Sequence, residues 1–350
     1  MARSPKVPGG DDALMSVGRV APDMNVRQVV PPDAIPSIDD PEFVGVEEYD
    51  RDGDDRVVVL DRDGEPARAY PLRYLHHHEV VNDVLGGDPR EGDPGGEPVV
   101  VTWCPICGSA VAYSREVAGE VVEFGVSGKL ADDDLVMYDR EFGCEWKQST
   151  GEALNGRYRN EKLDALPAAV TTVAAFRERH PDGVVLAQPI TESGGVDDRD
   201  PDPSEYEDDP YDEYFEGDGF GLGAIHGSST RTWHREDLDP KDVVLGIERD
   251  GDVLGFVRHR VEDADGVVEA SVGDAEVAVF ATPDGIHAFE APGLSFEPAG
   301  GDAHFRADGA VWNGATGESD DGRELDRVPA KRVFAFAWQD DHGHEAFHGG

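Results

Sequence analysis

Two cysteines separated by a proline and an isoleucine are the clearest chemical signal in this sequence. Cys104-Pro105-Ile106-Cys107 is followed by Gly108, and the proline and glycine suit a tight turn. Two thiolates three positions apart can bind one soft or borderline metal ion, and a dithiol can also exchange with a disulfide. A third interpretation is a pair of reduced thiols in a turn without chemical function. The local sequence leaves these three interpretations open.

A metal site at this turn needs ligands from elsewhere in the chain. Structural zinc sites have four ligands, usually from two cysteine pairs, and this sequence contains one such pair. The candidate donors are His76, His77, His78, Cys144 and Met137. Of these, we expect His78 and Met137 to complete a site with Cys104 and Cys107. A set of thiolate, thioether and imidazole favours zinc or copper over magnesium or calcium.

Two other functions compete with metal binding. A thiol–disulfide oxidoreductase would use the same cysteines, but such enzymes place the first cysteine at a helix N-terminus, which lowers its pKa. Here residues 108–113 have the composition of a strand, so this hypothesis is less favoured. The other alternative is a non-catalytic interaction module, in which Trp146, Trp312 and the tyrosines of an acidic segment contact a partner.

Several other polar motifs resemble functional sites only superficially. Ser127 lies in Phe124-Gly125-Val126-Ser127-Gly128, which lacks the spacing of a nucleophile elbow, so a structural role is expected. The triplet Asp132-Asp133-Asp134 lacks the spacing of an EF-hand. In so acidic a chain we interpret it as a solvated turn.

The elements that must position the cysteines are predicted to be mostly strands. Two strands flank an Asp-Gly turn at residues 57–71, and a buried strand covers residues 97–103. Further strands are predicted at 109–115, 120–127 and 134–139. Short helices are predicted to begin near Tyr70 and to cover Thr171 to His180. The predicted fold class is therefore α+β and rich in β-structure.

Four ordered similarities predict that the chain contains two related halves. Arg62-Asp63-Gly64 recurs as Arg249-Asp250-Gly251, and the run at 99–101 has a counterpart at 277–279. The pattern Trp-x-x-x-Thr-Gly-Glu begins at both Trp146 and Trp312, and Leu-Asp-x-x-Pro begins at both Leu163 and Leu325. The cysteine pair has no counterpart in the second half. We therefore expect two β-rich repeats packed into one body, of which only the first is chemically active.

These similarities and the local composition divide the chain into four segments. We expect a flexible N-terminal arm over residues 1–40 and the first repeat, with the cysteine pair, over 41–192. Residues 193–235, rich in Asp, Glu, Gly, Pro and Tyr, are predicted to be an acidic linker or insertion. The second, degenerate repeat covers 236–350.

The charge of the chain excludes some classes of function. With 75 acidic and 31 basic residues among 350, the formal net charge is −44. Molar salt would screen the resulting repulsion, so the composition indicates a halophilic protein of a salt-rich cytoplasm. The sequence contains no basic patch for nucleic acid, no apolar run long enough to span a membrane and no secretory signal pattern. A small-molecule or protein partner is left unspecified, as is the role of Cys144.

The order of several motifs resembles a large prokaryotic family of domains of unknown function. The motifs are His78-Glu79-Val80-Val81-Asn82-Asp83, Trp103-Cys104-Pro105-x-Cys107-Gly108-Ser109-Ala110, Phe124-Gly125-Val126-Ser127-Gly128, Asp134-Leu135-Val136-Met137-Tyr138-Asp139-Arg140 and Trp146-x-Gln148-x-Thr150-Gly151-Glu152-Ala153. The resemblance implies a shared pocket that includes the cysteines, His78 and Met137. Its other expected members are Asn82, Asp83, Ser127, Asp139, Trp146 and Gln148.

Overall fold

The computed structural model describes residues 24–91, 95–189, 203–227 and 231–349. Most of the predicted N-terminal arm, residues 1–23, lies outside this part of the chain, as do residues 190–202 and 228–230 of the acidic segment. The fold is α+β and rich in β-structure, as predicted from the sequence.

The first half of the chain consists of fifteen strands, two helices and one 3-10 turn among the residues described. Its elements are β1 (Val26–Gln28), β2 (Phe43–Gly45), β3 (Arg56–Leu60), β4 (Arg68–Pro71), α1 (Leu72–His78), β5 (Val80–Leu85), a 3-10 turn (Pro89–Glu91), β6 (Glu97–Cys104), β7 (Ser109–Ser114), β8 (Glu116–Val117), β9 (Glu120–Val121), β10 (Phe124–Ala131), β11 (Asp134–Asp139), β12 (Glu145–Lys147), β13 (Ala165–Leu166), β14 (Ala169–Thr172), α2 (Val173–Arg179) and β15 (Val184–Leu186).

The acidic segment and the second half follow. The segment contains a 3-10 turn (Pro203–Glu207), α3 (Asp212–Glu216) and α4 (Leu222–Ile225). The second half contains β16 (Val243–Arg249), β17 (Asp252–Val257), α5 (Arg258–Asp263), β18 (Val267–Val272), β19 (Ala275–Thr282), β20 (Gly285–Glu290), β21 (Glu297–Pro298), β22 (His304–Ala307), β23 (Ala310–Asn313), β24 (Lys331–Phe334) and α6 (Ala335–His342).

The sequence predictions for individual elements agree with these bounds, with two exceptions. The single strand predicted at 120–127 is divided, because Glu120–Val121 form β9 and β10 begins only at Phe124 and continues to Ala131. The run of apolar residues after Tyr70 gives only the seven-residue helix α1, because Val80 to Leu85 continue as strand β5 and pair with β6. Glu79 separates the two elements with a positive φ of 59°. The left-handed conformation ends the helix and turns the chain into the strand.

The same order of elements occurs in both halves. A hairpin, a short helix and three antiparallel strands follow each other as β3-β4-α1-β5-β6-β7 and as β16-β17-α5-β18-β19-β20. Near the end of each half a strand returns to pair with the first strand of this repeated order, β14 with β3 and β24 with β16, and a helix follows. A duplication of one ancestral unit would produce this order.

The halves are joined by a sheet to which both contribute. Its continuous path is β17-β16-β24-β7-β6-β5, with three strands from each half. The two sets meet where β24 pairs antiparallel with β7, at Arg332 and Ala110. β14 and β20 are the counterparts of β24 and β7 in the repeated order of elements. They also pack side by side, but without a ladder of hydrogen bonds.

The remainder of the first half surrounds this sheet. β1 pairs with β10, so the chain from Val26 onward lies against the body of the protein. β10, β11 and β12 form an antiparallel sheet with β1, and β14-β3-β4-β15-β2 form another. Among the residues described, no helix is long and apolar enough to cross a membrane.

A buried ionic cluster also ties the halves together. The Glu248 carboxylate in β16 forms ion pairs with Lys162 of the first half and with Lys331 of β24. His342 Nε2 of α6 lies 3.5 Å from the same carboxylate. Lys331 is only 5% exposed, so the carboxylate supplies the opposite charge that its burial requires.

We predict that Glu248→Gln lowers the free energy of unfolding by about 2–4 kcal/mol at pH 7, because Lys331 is left buried without a carboxylate. Burial alone would raise the pKa of the Glu248 carboxyl, but Lys331, His342 and Lys162 hold it below its usual range. The stabilisation is therefore complete above the unfolded-state pKa of about 4.3 and is lost as the pH falls below it. Urea unfolding at constant high salt, at pH 7 and at pH 4, measures both effects.

The control is Glu290→Gln, which removes a 40% exposed carboxylate paired with Arg249 on the surface. This variant should lose less than about 1 kcal/mol. Equal losses in the two variants would contradict a special role for the buried cluster.

Candidate metal centre

The cysteine pair lies in the turn between β6 and β7. Cys104 is the last residue of β6 and Ser109 the first of β7, and the two residues are paired across the hairpin. Gly108 has a φ of 56°, and a Cβ at this position would lie 2.7 Å from the ring of Phe334. The turn therefore requires glycine both for its backbone conformation and for its contact with β24.

A third donor from a separate hairpin joins the two thiols. The Sγ atoms of Cys104 and Cys107 and a carboxylate oxygen of Asp134 all lie within 4.8 Å of one another. In the described part of the chain, this is the only such group of three or more His, Cys, Asp or Glu side chains. Each of the three residues is at most 1% exposed. Burial of three acidic groups at one point is unusual unless a cation or protons balance them.

The turn before β11 brings Asp134 into this group. Asp132 and Asp133 both have positive φ values, 54° and 68°, which reverse the chain between β10 and β11. The amide of Ser149 donates to Asp134 Oδ2 at 2.9 Å, while Asp134 Oδ1 has no hydrogen-bond partner. One oxygen is thus oriented by the backbone and the other is free to bind a ligand.

The interpretation of the aspartate triplet as a solvated turn is wrong for two of its three members. Asp133 is 6% exposed and Asp134 is 1% exposed. Asp133 forms ion pairs with Arg27 and Arg231, whereas Asp134 faces the thiols.

The electrostatics of the group favour bound protons or a bound cation. Burial raises the pKa of both thiols, and Asp134 raises them further. Burial also raises the pKa of Asp134, to about 6, although Lys147 opposes the shift. The ammonium group of Lys147, which acts on Asp134, is already paired with Asp341 of α6. A divalent cation would therefore replace protons rather than compete with a resident positive charge.

Glu79 is a fourth acidic group beside the same site. Its side chain is buried, and its carbonyl oxygen accepts hydrogen bonds from the Trp103 amide at 2.9 Å and the Thr102 hydroxyl at 2.8 Å. These bonds fix Glu79 against the end of β6. Burial, followed by the charge of Asp134, raises the pKa of the Glu79 carboxyl to about 8. A non-glycine residue held at positive φ beside such a cluster is typical of a functional position.

Comparison with protein families identifies the chain at the level of a family. The family model described as "Protein of unknown function (DUF3179)" matches residues 32–346. The chain belongs to this family. No curated protein and no solved structure matches it.

The histidine triplet of this DUF3179 chain does not join the three donors. His78 Nδ1 lies 2.7 Å from the Pro36 carbonyl oxygen, and its Nε2 lies 2.6 Å from the Tyr206 hydroxyl. His76 Nδ1 lies 3.1 Å from an Asp209 carboxylate oxygen. His78 is therefore outside the donor group, and a role for it as a ligand stays a prediction.

Met137 lies on the same strand as Asp134 but three positions later. Successive side chains of a strand point to opposite faces, so these two side chains are directed away from each other. Met137 pairs with Val126 and Trp146 on the neighbouring strands and is fully buried. The geometry gives it a packing role, and ligation by its sulfur also stays a prediction.

Two of the other predicted pocket residues connect elements through hydrogen bonds. Asn82 donates to the Phe124 carbonyl at 2.8 Å and accepts from the Phe124 amide at 2.9 Å, which joins β5 to β10. Asp83 accepts from Arg68 at 2.8 Å and from the Tyr70 hydroxyl at 2.6 Å.

The remaining predicted residues lie in the sheet that contains β11, or next to it. Asp139 accepts from Trp146 Nε1 at 3.0 Å, and Ser127 donates to the carbonyl of Val136 at a bulge in β10. Gln148 is closest to the cysteine turn, because its amide donates to the Ser109 carbonyl at 3.2 Å. Its Oε1 has no partner.

The acidic segment covers the cysteine turn. The Tyr214 hydroxyl donates to the Ile106 carbonyl at 2.6 Å, between the two cysteines. Phe215 packs against Phe334, with ring centroids 6.2 Å apart. This part of the segment is therefore a structural cover of the site.

Sequence reasoning missed Asp134 and Glu79. Both stand inside the motifs on which the family resemblance rests, Asp134 at the start of one and Glu79 next to His78. For Asp134 the available signal was its place as the first residue of a predicted strand, whereas Glu79 gave no signal because it lay inside the helix predicted after Tyr70.

We predict that Glu79→Gln stabilises the metal-free protein increasingly as the pH rises from 5 to 8. A carboxyl whose folded-state pKa is raised to about 8 destabilises the folded state at any pH above the unfolded value, and the amide lacks this penalty. One pKa unit corresponds to about 1.4 kcal/mol, which sets an upper limit of about 5 kcal/mol at pH 8. Urea unfolding of chelator-treated protein across this pH range measures the difference.

Glu116→Gln, at an exposed position of β8, serves as the control and should change stability by less than about 0.5 kcal/mol at every pH. A pH-independent difference between Glu79→Gln and the native protein would show that Glu79 is not buried as a neutral acid.

Proposed function

We propose that this protein binds one metal ion through Cys104, Cys107 and Asp134. The observation that carries the proposal is the convergence of two thiol sulfurs and one carboxylate oxygen within 4.8 Å in the interior of the protein. Two thiolates with one carboxylate suit zinc better than a hard ion such as magnesium or calcium. The carboxylate makes copper(I), which prefers an all-soft ligand set, the less favoured choice.

Three protein ligands leave a fourth position for water or a substrate. Closed structural zinc sites have four protein ligands, whereas catalytic sites have three and an open position. The carboxyl of Glu79, close enough to raise the pKa of Cys104, supplies a proton acceptor or a further ligand on this side. An open site with a neighbouring carboxyl is the arrangement expected of metal-assisted hydrolysis.

Thiol–disulfide exchange is supported less well by the same geometry. Burial raises the pKa of both thiols, whereas an attacking cysteine needs a lowered one. Cys107 is followed by strand β7, so no helix N-terminus stabilises a thiolate at this turn.

An interaction module built on the tryptophans is also supported less well. Trp146 and Trp312 are 0% and 2% exposed, so neither ring is available to a partner. The Tyr214 hydroxyl donates a hydrogen bond to the Ile106 carbonyl in the cysteine turn, so this side chain is used inside the protein.

We further infer a duplicated origin, a salt-rich environment and a reducing compartment such as the cytoplasm. The repeated order of elements supports the duplication, in which only the first copy retains the cysteine turn. The net charge of −44 supports the salt-rich environment. The three free cysteines support the reducing compartment.

We predict that Cys104→Ser with Cys107→Ser abolishes metal binding, because the oxygen replacements are poor ligands for a soft or borderline ion. Protein purified in high salt without oxygen should contain about one zinc ion per chain by elemental analysis, and the double variant should contain almost none. Asp134→Asn should weaken the affinity at least about tenfold, measured by competition with a chromogenic chelator.

Two matched controls separate ligation from general damage. Cys144→Ser changes a buried cysteine that packs against Gly156 outside the donor group, and Asp132→Asn changes the carboxyl two positions before Asp134. Both controls should retain the metal. Full metal content in the double cysteine variant would refute the proposal, and so would a folded native protein that takes up no metal.

A further inference from the structure

A second polar site lies where the two halves meet. A small cavity of about 30 Å³ is lined by residues of both halves. Three arginines reach it from different elements: Arg56 begins β3, Arg258 begins α5 and Arg332 lies in β24. The cavity can hold about two water molecules or one small anion.

Two of the three guanidinium groups at this cavity have no carboxylate partner in the part of the chain that the structure describes. Among the described residues, no carboxylate forms an ion pair with Arg56 or Arg332. Arg258 is paired with Glu262 at 2.8 Å. Asp284 also lines the cavity, but its carboxylate is engaged by Arg179.

The pKa of Arg332 is lowered at this cavity, where no carboxylate of the described residues is paired with its guanidinium group. Burial, followed by the charges of Arg56 and Arg258, lowers the pKa of the Arg332 guanidinium to about 9. Although the chain has a net charge of −44, Arg56 and Arg332 line one cavity without a paired carboxylate among the residues described. Repelling cations that are kept together without counter-charge are typical of an anion-binding site.

Arg56 and Arg332 also form one wall of a larger pocket of about 610 Å³. Its other walls include the side chains of Trp103, Phe215 and Phe334. These rings offer apolar surface to the body of a small organic ligand.

Two buried polar atoms on the same pocket lack partners. Trp103 is 2% exposed and its Nε1 has no hydrogen-bond partner, and the same holds for Nε2 of His76, which is 8% exposed. Buried polar atoms without partners are rare in proteins, and water or a ligand in the pocket would satisfy these two.

The acidic residues of the pocket are occupied or lie at its exposed rim. Asp55 is paired with Arg73 at 2.6 Å, and Glu207 with Arg51 at 2.6 Å. Asp209 lies beside the other ring nitrogen of His76. The other three carboxylates that line the pocket belong to exposed residues, whereas Arg332 is only 9% exposed, so the unpaired charge on the buried wall is positive.

We propose that this pocket binds the oxyanion group, a carboxylate or a phosphate, of a small molecule between Arg56 and Arg332, with Trp103 Nε1 as an additional donor. Guanidinium groups match the geometry of both oxyanions. The site is independent of the metal ion. It adjoins the metal centre, because Arg332 donates to the Gly108 carbonyl and Trp103 precedes Cys104 in the chain.

The test uses inorganic phosphate and benzoate as probes of the full-length protein as purified. Each probe is titrated by calorimetry at constant potassium chloride concentration. We expect saturable binding of at least one probe, tighter for benzoate if the aromatic walls contact an organic ligand and tighter for phosphate if the natural ligand carries a phosphate. Failure of both probes to bind the folded native protein would overturn the proposal.

Arg56→Gln is the principal variant, because this arginine is exposed and has no ion-pair partner among the residues described, so its loss should leave the fold intact. It should weaken binding at least about tenfold. Trp103→Phe keeps an aromatic ring but removes the donor, and should weaken binding severalfold. Arg157→Gln removes the same charge beside Glu120, outside the pocket, and should bind like the native protein. Equal affinities for Arg56→Gln and Arg157→Gln would contradict the proposed site.

Measuring the metal content of the same variants distinguishes loss of the anion site from loss of the metal site. Arg56→Gln should retain the native metal content while it loses the oxyanion. The double cysteine variant should still bind the probe if it is folded. Loss of probe binding only when the metal is removed would show that the anion binds to the metal and would overturn the arginine site.

Discussion

A backbone hydrogen bond from the second half of the chain holds the cysteine turn in place. The Phe334 amide in β24 donates to the Cys107 carbonyl at 2.8 Å, and the Phe334 ring fills the space that Gly108 leaves. Arg332, two residues earlier, donates to the Gly108 carbonyl and pairs with Ala110. The geometry of the thiols therefore depends on a strand more than two hundred residues away, and so does the wall of the oxyanion pocket.

Much of the local structure could be predicted from the sequence. Asp-Gly turns between β-branched runs specify hairpins through local interactions alone, and the predicted strands at 97–103, 109–115 and 134–139 correspond to β6, β7 and β11. The tight turn at the cysteines follows from its proline and glycine. One local error, the helix after Tyr70, arose because Val80 and Val81 fit a helical face as well as a strand. Pairing with β6 decided between the two.

The sequence did not allow the same kind of prediction for which residues form the donor group. Asp134 reaches the thiols only because the β10–β11 hairpin packs against the β6–β7 turn, which is a tertiary contact. In a chain with 75 acidic residues, composition does not distinguish a buried aspartate from a solvated one. His78 was favoured because imidazole is a common ligand, but its ring nitrogens lie beside Pro36 and Tyr206. The presence of a single cysteine pair implies that further ligands come from distant parts of the chain, but only the fold determines which residues these are.

The shared sheet has a consequence for how such a protein can arise. β24 of one half completes the sheet of the other, and β14 occupies the corresponding place beside β20. In a single half β13 would still cover Ala112 and Tyr113 of β7, but the part of β7 next to the cysteine turn would be an open edge and the turn would be unsupported. For the duplicated origin that we infer, this arrangement implies an ancestral homodimer in which each subunit placed its last strand beside the cysteine turn of its partner. In a fused chain of this kind one of the two turns is dispensable for chemistry, which agrees with the absence of cysteine from Thr282 to Gly285.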